Sequence, residues 1–208
     1  TGCLPLEMQK TLLNAKCPEM IGNDIVDLQL AAKEINWKRP RLQSKIFSEN
    51  EQEFLQLSEN PEQLFWLFWT MKEAAYKAHQ RRFLLPRKFN PKSFRCKLHL
   101  SESAESSGIV QVENCHYSTA AKFSENAIHC VASVENSPVK QQIFSASKNL
   151  KDELTCALAA HYKLSPEALK IEKNLHFIPQ LIIGGKQSNL PFSISHHGNY
   201  SAYVFAVN

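Results

Sequence analysis

The stretch that most restricts the fold runs from Phe65 to Lys77, FWLFWTMKEAAYK. No Gly or Pro interrupts it, and its Ala and long unbranched side chains favour helix. Phe65, Phe68, Trp69, Ala75 and Tyr76 supply most of a broad apolar stripe, so such a helix has to be covered along that side. Glu73 and Lys77 stand four residues apart and rise together from one face. Taken alone, the two make a surface ion pair worth roughly 0.2–0.5 kcal/mol. Two other stretches change that reading. Ile21-Gly22-Asn23-Asp24-Ile25-Val26-Asp27-Leu28 sets an acid inside a strand-like apolar run, and Phe192-Ser193-Ile194-Ser195-His196-His197-Gly198 is a polar motif near the C-terminus. Three such departures from plain patterning suggest one site assembled from distant segments.

The 208 residues, 43% of them hydrophobic, suffice for one domain or for two small halves that share a core. Six cysteines, at 3, 17, 96, 115, 130 and 156, form no CxxC pair, which favours reduced thiols in a cytosolic protein over a zinc cluster. No run reaches the roughly 18 apolar residues that span a bilayer, and no signal-peptide pattern opens the chain. A cytoplasmic protein without membrane attachment is therefore expected. The chain opens on Thr1-Gly2 rather than Met, which suggests that the natural start lies upstream. The net charge of +4 is modest but unevenly spread: Lys72 to Lys97 holds nine Lys or Arg residues against the single acid Glu73. Lys33, Lys38, Arg39, Arg41 and Lys45 form a second basic group. Such faces are either merely solvated or attract phosphates and acidic proteins. No recognition helix, zinc finger or aromatic single-strand platform accompanies them, so nucleic acid is not expected as a partner.

In chain order, residues 1–19 are a poorly patterned lead-in with a short apolar patch at Leu12 and Leu13. Ile21 to Leu28 reads as a strand whose Gly22 permits close backbone approach. Asp24 sits near its middle, where a lone buried carboxylate needs a cation or hydrogen bonds. Pro40 punctuates a turn over 37–41. Ser48-Glu49-Asn50-Glu51 has the capping-box pattern that starts a helix, and Pro61 separates it from the helix carrying Trp69. From Phe94 to Val134 the texture is that of an antiparallel sheet, with strands at 96–100, 109–112 and 128–134 and a turn at Ser106-Ser107-Gly108. Asn136-Ser137-Pro138 closes the first part. A helix over 152–163, a proline-started turn at Ser165-Pro166, and strands over 175–183 and within 192–207 follow.

A strand carboxylate and a helix carboxylate can hold a hard divalent ion together. Mg²⁺ keeps several waters, so Asp24 and Glu73 plus substrate phosphates are enough. Lys77, one turn beyond Glu73, can contact a phosphate held by the same ion, and His196 can add donors to another phosphate.

Together IGNDIVDL at 21–28, FSENEQEFL at 47–55, WTMKEAAYKA at 69–78 and SISHHGNYSAYVFA at 193–206 resemble the 4'-phosphopantetheinyl transferase superfamily. Its pattern is a G-x-D segment, an F-S/T-x-x-E helix, a W/F-x-x-K-E-x-x-x-K helix and an S-H motif. The resemblance implies Mg²⁺-dependent transfer of the 4'-phosphopantetheine arm of coenzyme A to a serine of an acidic acyl or peptidyl carrier protein, releasing adenosine 3',5'-bisphosphate. It implies Asp24 and Glu73 as metal ligands and catalytic groups, with Lys77 acting on the coenzyme A phosphates. Ser195 and His196 would lie at the nucleotide's phosphate groups and Lys45 at a basic position near the nucleotide. Lys72 precedes the metal glutamate, and Glu51 would orient neighbouring cations or water.

The chain also departs from the pattern. Val26 stands where longer members have a second metal acid (G-I/V-D-I-E), and Asp27 matches the acid of the shorter synthases (G-I-D-I-V-E). Asn23 replaces the usual Ile, Val or Leu. The S-H motif comes last, as in the short trimeric synthases, yet the chain has the length of the long monomeric type. The expected architecture is therefore α+β: two similar halves with antiparallel sheets and packed helices, a pseudo-dimer within one monomer. Residues 1–136 would carry the metal-site motifs and 137–208 the Ser-His motif. The alternative is a catalytically silent module that binds coenzyme A or a carrier protein. A Ser-His hydrolase is disfavoured, because adjacent strand residues point to opposite faces and no nucleophile elbow surrounds Ser195.

Overall fold

Ile21 to Asp27 extends as strand β1, buried along nearly its whole length. A computed structural model describes residues 20–99, 105–134, 138–145 and 149–207. The lead-in over 1–19, Leu100, and Asn136-Ser137 at the expected division of the chain lie outside the described residues. Three short helices follow β1: α1 (Leu28–Glu34), α2 (Leu42–Ile46) and α3 (Glu49–Leu57). At α3 the capping box forms as the sequence indicates, with Ser48 accepting from Glu51 N and Glu51 accepting from Ser48 N.

The central helix α4 spans Pro61–Phe83, capped by the Asn60 side chain with Pro61 in its first turn. It ends at Leu84, in the left-handed region at φ 50°. The expected stripe is only part of its buried surface. Trp66, Leu67, Thr70, Met71, Ala74 and Ala78 are buried as well, while Trp69 is half-buried. Covered on most sides, α4 is the helix around which the first core is built. Each fully buried Phe of that core contributes about 1.5–3 kcal/mol.

The sheet under α4 contains β1 with β2 (Arg95–His99), β3 (Glu105–Val112), β4 (Cys115–Phe123) and β5 (Ala127–Ser133), in the order β1-β5-β4-β3-β2. Every neighbouring pair is antiparallel, and Asp24 lies opposite Cys130. The turn expected at Ser106-Ser107-Gly108 is instead the body of β3. Gly108 is there for space: a Cβ would meet Lys97 O at 2.5 Å and the Met71 methyl at 2.9 Å. Gly22 is more tightly held, since its Cβ would lie 2.0 Å from Ala74 O and 2.7 Å from Ala78 N of α4. The absence of a side chain lets helix and strand backbones touch.

Beyond 138, β6 (Val139–Phe144), which the sequence reading missed, pairs with β11 (Tyr200–Ala206), and β11 pairs with β10 (Phe192–His197). A second three-stranded sheet holds β7 (Leu169–Lys173), β8 (Pro179–Ile183) and β9 (Lys186–Ser188). Of the stretch 175–183 expected as strand only Pro179–Ile183 is one, and Leu175, 95% exposed, lies in the connection from β7, a strand that the sequence reading did not place. Helix α5 (Leu150–Tyr162) packs Leu154 and Leu158 into a second core with Phe144, Ile171, Leu181 and Phe205. A small cluster of Ile21, Val131, Val204 and Ala206 joins the two sides. The class is α+β with antiparallel sheets and packed helices. The two sides differ in form, one five-stranded sheet under a 23-residue helix against two three-stranded sheets with a 13-residue helix.

Candidate active site

With β5 on one side, β1 leaves its other edge without a strand partner, and side chains satisfy that edge instead. From α4, Arg81 Nη1 donates to Ile21 O at 3.2 Å and Lys77 Nζ donates to Asn23 O at 3.0 Å. From β10, Ser193 Oγ accepts from Asn23 N at 3.0 Å and His197 Nδ1 accepts from Asp27 N at 3.0 Å. Ser193, Ser195 and His197 alternate along β10 and serve this edge, while His196 is exposed. The two-residue spacing was visible in the sequence, but Ser193 and His197 were not singled out.

Asp24 lies at the middle of this edge. Its Oδ1 accepts from Lys77 Nζ at 2.8 Å, with 13% and 25% of the two side chains exposed. Lys77 therefore pairs across to β1 rather than within its own helix to Glu73. Burial, and after it the charge of Asp24, raises the Glu73 carboxyl to about 7, against the pull of Lys77 and Arg87. Two carboxylates crowded beside one ammonium group are a donor set suited to a hard divalent cation. Among the described residues no group of three or more His, Cys, Asp and Glu residues gathers to hold a metal. The protein's share of such an ion would be Asp24 and Glu73, leaving the other positions to water or phosphate oxygens.

The second acid of β1 has other work. Asp27 Oδ1 accepts from Gln29 N and Leu30 N, both at 3.1 Å, capping α1, and Oδ2 accepts from Asn199 N at 3.1 Å. Burial works against its charge, but these N–H groups and His197 outweigh that and hold the carboxyl below its usual range. Gly198, at φ 56°, leaves room for this: a Cβ there would lie 2.4 Å from Asp27 Oδ2. Val26, at the position of a second metal acid, is buried in the first core.

Asn23 is fully buried. Its Nδ2 donates to Ser195 Oγ at 2.8 Å and to Ala202 O at 3.4 Å, and lies 3.1 Å from His129 Nε2. The carbonyl of Ala202 fixes the amide orientation, since only a donor fits there. His129 Nε2 is then the acceptor, and burial, aided by Lys77 and Lys122, pulls this imidazole down to about 4.

Lys72 and Glu51 face away from that edge, into the first core. They are 0% and 1% exposed and meet at 2.8 Å. Glu51 also accepts from Ser48 N, Ser48 Oγ and Cys96 N, and Lys72 donates to the carbonyls of Pro91 and Phe94. Both are spent on holding α3, α4 and the start of β2 together. Lys45 is exposed in the last turn of α2, and no hydrogen bond or ion pair among the described residues ties it to Asp24, Glu73 or Lys77. The run of nine bases also divides. Lys72, Lys77 and Arg81 point inward, whereas Arg82, Arg87, Lys88, Lys92, Arg95 and Lys97 are exposed. Beside Arg81 a cavity of about 300 Å³ opens, walled by Leu84, Ile178, Leu190 and Phe192. Burial lowers the Arg81 guanidinium to about 10, and it remains a cation at neutral pH.

A family model described as the 4'-phosphopantetheinyl transferase superfamily matches residues 20–142, more than half of the chain. The match spans Asp24, Glu51, Glu73 and Lys77 and stops before Ser195 and His196. No curated protein matches the chain significantly. Among solved structures, the holo-[acyl-carrier-protein] synthase (AcpS) of Thermotoga maritima is similar at 10% identity, with a TM-score of 0.41, over 82% of this chain and 85% of that one. No described helix is long and apolar enough to cross a membrane.

Proposed function

The chain belongs to the 4'-phosphopantetheinyl transferase superfamily, and on that footing we propose that it moves the 4'-phosphopantetheine group of coenzyme A to a serine of an acidic acyl or peptidyl carrier protein. The supporting observation is the convergence of Asp24 and Lys77 at 2.8 Å, with Glu73 close enough for Asp24 to raise its pKa. The serine oxygen forms a bond to the β-phosphorus of the coenzyme while the bridging bond to the α-phosphate breaks. Adenosine 3',5'-bisphosphate leaves with that electron pair.

Asp24 and Glu73 would hold Mg²⁺, whose chemistry is to offset pyrophosphate charge. Lys77 has three N–H donors, two of them engaged by Asp24 and Asn23, so the third is left for a phosphoryl oxygen as charge develops there. The serine proton would pass to Glu73 or to a water held by the ion. The cavity beside Arg81, one helical turn past Lys77, can take part of the coenzyme against an apolar wall. Exposed bases from Arg82 to Lys97 steer the acidic carrier protein. Side chains of β10 meet the edge of β1 on which Asp24 lies, which supports a site built from one chain and a monomeric enzyme.

Incubation with coenzyme A, Mg²⁺ and a panel of apo carrier proteins, read by intact-protein mass spectrometry, tests this. The carrier should gain one phosphopantetheine group. Asp24→Ala and Glu73→Ala should lower the rate at least about a hundredfold, equivalent to about 2.7 kcal/mol, with melting temperatures close to wild type. Coenzyme A binding without transfer to any carrier would favour the silent binding module, and normal rates in both variants would overturn the residue assignment.

A further inference from the structure

We propose that Asn23 and Ser195 form a positioning joint that fixes Lys77 and Asp24 from behind, so that Ser195 acts through Asn23 rather than on the coenzyme. The inference rests on the reading of Asp24 and Lys77 as catalytic groups and extends it to residues that touch neither phosphate nor metal.

Residue 23 is held through its backbone N–H, its backbone C=O and its side-chain Nδ2, while its Oδ1 is buried without a hydrogen-bond partner. Its N–H goes to Ser193 Oγ and its C=O receives Lys77 Nζ. Its side chain, fully buried, reaches Ser195 Oγ, Ala202 O and His129 Nε2. The next residue is Asp24, the other partner of Lys77. A displacement of residue 23 therefore moves one acceptor of the Lys77 ammonium group, Asn23 O, directly and carries the adjoining Asp24, the other acceptor, with it. The partners of Asn23 come from β10, β11 and β5, so the joint sets the register of β10 against the edge of β1. Ser195 is only 4% exposed, and its hydroxyl oxygen accepts from Asn23 at 2.8 Å.

An apolar residue at 23, as the family pattern has, would pack here without any such register. A buried amide has low-energy placements only where its donors are met, so it selects one alignment of the two strands. Asn23 Nδ2 has two N–H groups and three acceptors around it, of which Ser195 Oγ is the shortest; removing that oxygen draws the amide toward His129 Nε2 and Ala202 O and so shifts it. Removing both groups takes away that shift. The two residues are therefore expected to be coupled.

Three variants test this: Ser195→Ala, Asn23→Leu and the double variant, assayed well below melting temperatures measured by circular dichroism. Ser195→Ala should lower kcat about tenfold or more while KM for coenzyme A stays within about threefold. The double variant should be no slower than the slower single variant. A raised KM with unchanged kcat would mean that Ser195 touches the coenzyme itself, and would overturn the proposal. So would a double variant showing the full product of the two single losses.

A second readout does not depend on turnover. ¹⁵N labelling of lysine reports the unmodified Lys77 ammonium group directly, its NMR signal assigned by its loss in Lys77→Arg. That signal should shift in Ser195→Ala, although residue 195 does not touch Lys77, and an unmoved signal overturns the joint. A wild-type protein that transfers nothing would count against the proposed function alone, leaving the NMR comparison to decide this inference.

Discussion

Two lysine–carboxylate pairs, their lysines five residues apart on α4, have the same 2.8 Å separation and opposite surroundings. Lys72 and Glu51 are sealed in the core, and their remaining hydrogen-bonding capacity is met by Ser48, Cys96, Pro91 and Phe94. Lys77 and Asp24 sit at an open strand edge beside a third carboxyl, Glu73, that burial has left partly protonated. A closed network resists exchange of partners, because each replacement exposes a desolvated charge. An open pair with an additional acid can trade one contact for a cation or a phosphate at little cost. Distance alone does not tell the two pairs apart; the surroundings do.

The largest effect expected from breaking this contrast is on Lys72. Lys72→Met strands a buried Glu51 and should destabilise the protein by roughly 3–5 kcal/mol, lowering the melting temperature by on the order of 10 °C. Adding Glu51→Met should recover most of that loss in a calorimetric scan. A single variant no less stable than a surface substitution would erase the distinction between the two pairs.

A smaller effect concerns pH. The Glu73 carboxyl is raised from 4.5 to about 7 in the folded metal-free protein, so the folded state binds more protons than the unfolded one between those values. Its contribution is fully present below about 4.5 and is lost as pH rises through about 7. Thermal melts in chelator should show stability falling across that window, and Glu73→Gln should flatten the trend. A slope of the opposite sign in the difference between the two proteins would contradict the crowding of Asp24 and Glu73.

The smallest effect is on carrier docking. The exposed bases Arg95 and Lys97 alternate along the outer face of β2. Salt should lower kcat/KM for the carrier several-fold as the screening length shrinks from about 30 Å at 0.01 M to about 8 Å at 0.15 M. The effect should be weaker in Arg95→Glu/Lys97→Glu. A salt-independent rate would remove these residues from the docking surface.

Much of the fold could be read from local pattern. The capping box at Ser48, the proline start of α4, the close approach at Gly22 and the strand character of Ile21 to Asp27 all follow from contacts within a few residues or from glycine's bare backbone. The misreadings have physical causes. Gly108 suggests a turn by residue type, but it lies in β3, paired with β2 and β4, where Met71 and the Lys97 backbone leave no room for a Cβ. β6, VKQQIF, lacks a continuous apolar face and becomes a strand by pairing with β11. Asn23 reads as a misfit in an apolar run until β10 supplies its acceptors.

The chain alone determined the acid and lysine types and their helical spacing at 73 and 77, which are local properties. Only the tertiary structure decided which lysine serves which acid: Lys72 finds Glu51 at a separation of 21 residues, and Lys77 finds Asp24 at 53. The same holds for Asn23 and Ser195, which are 172 residues apart. No sequence period encodes such partnerships. They are set by the burial of each group and by the strand edge it is brought to, because desolvation makes some pairings fixed and leaves others open.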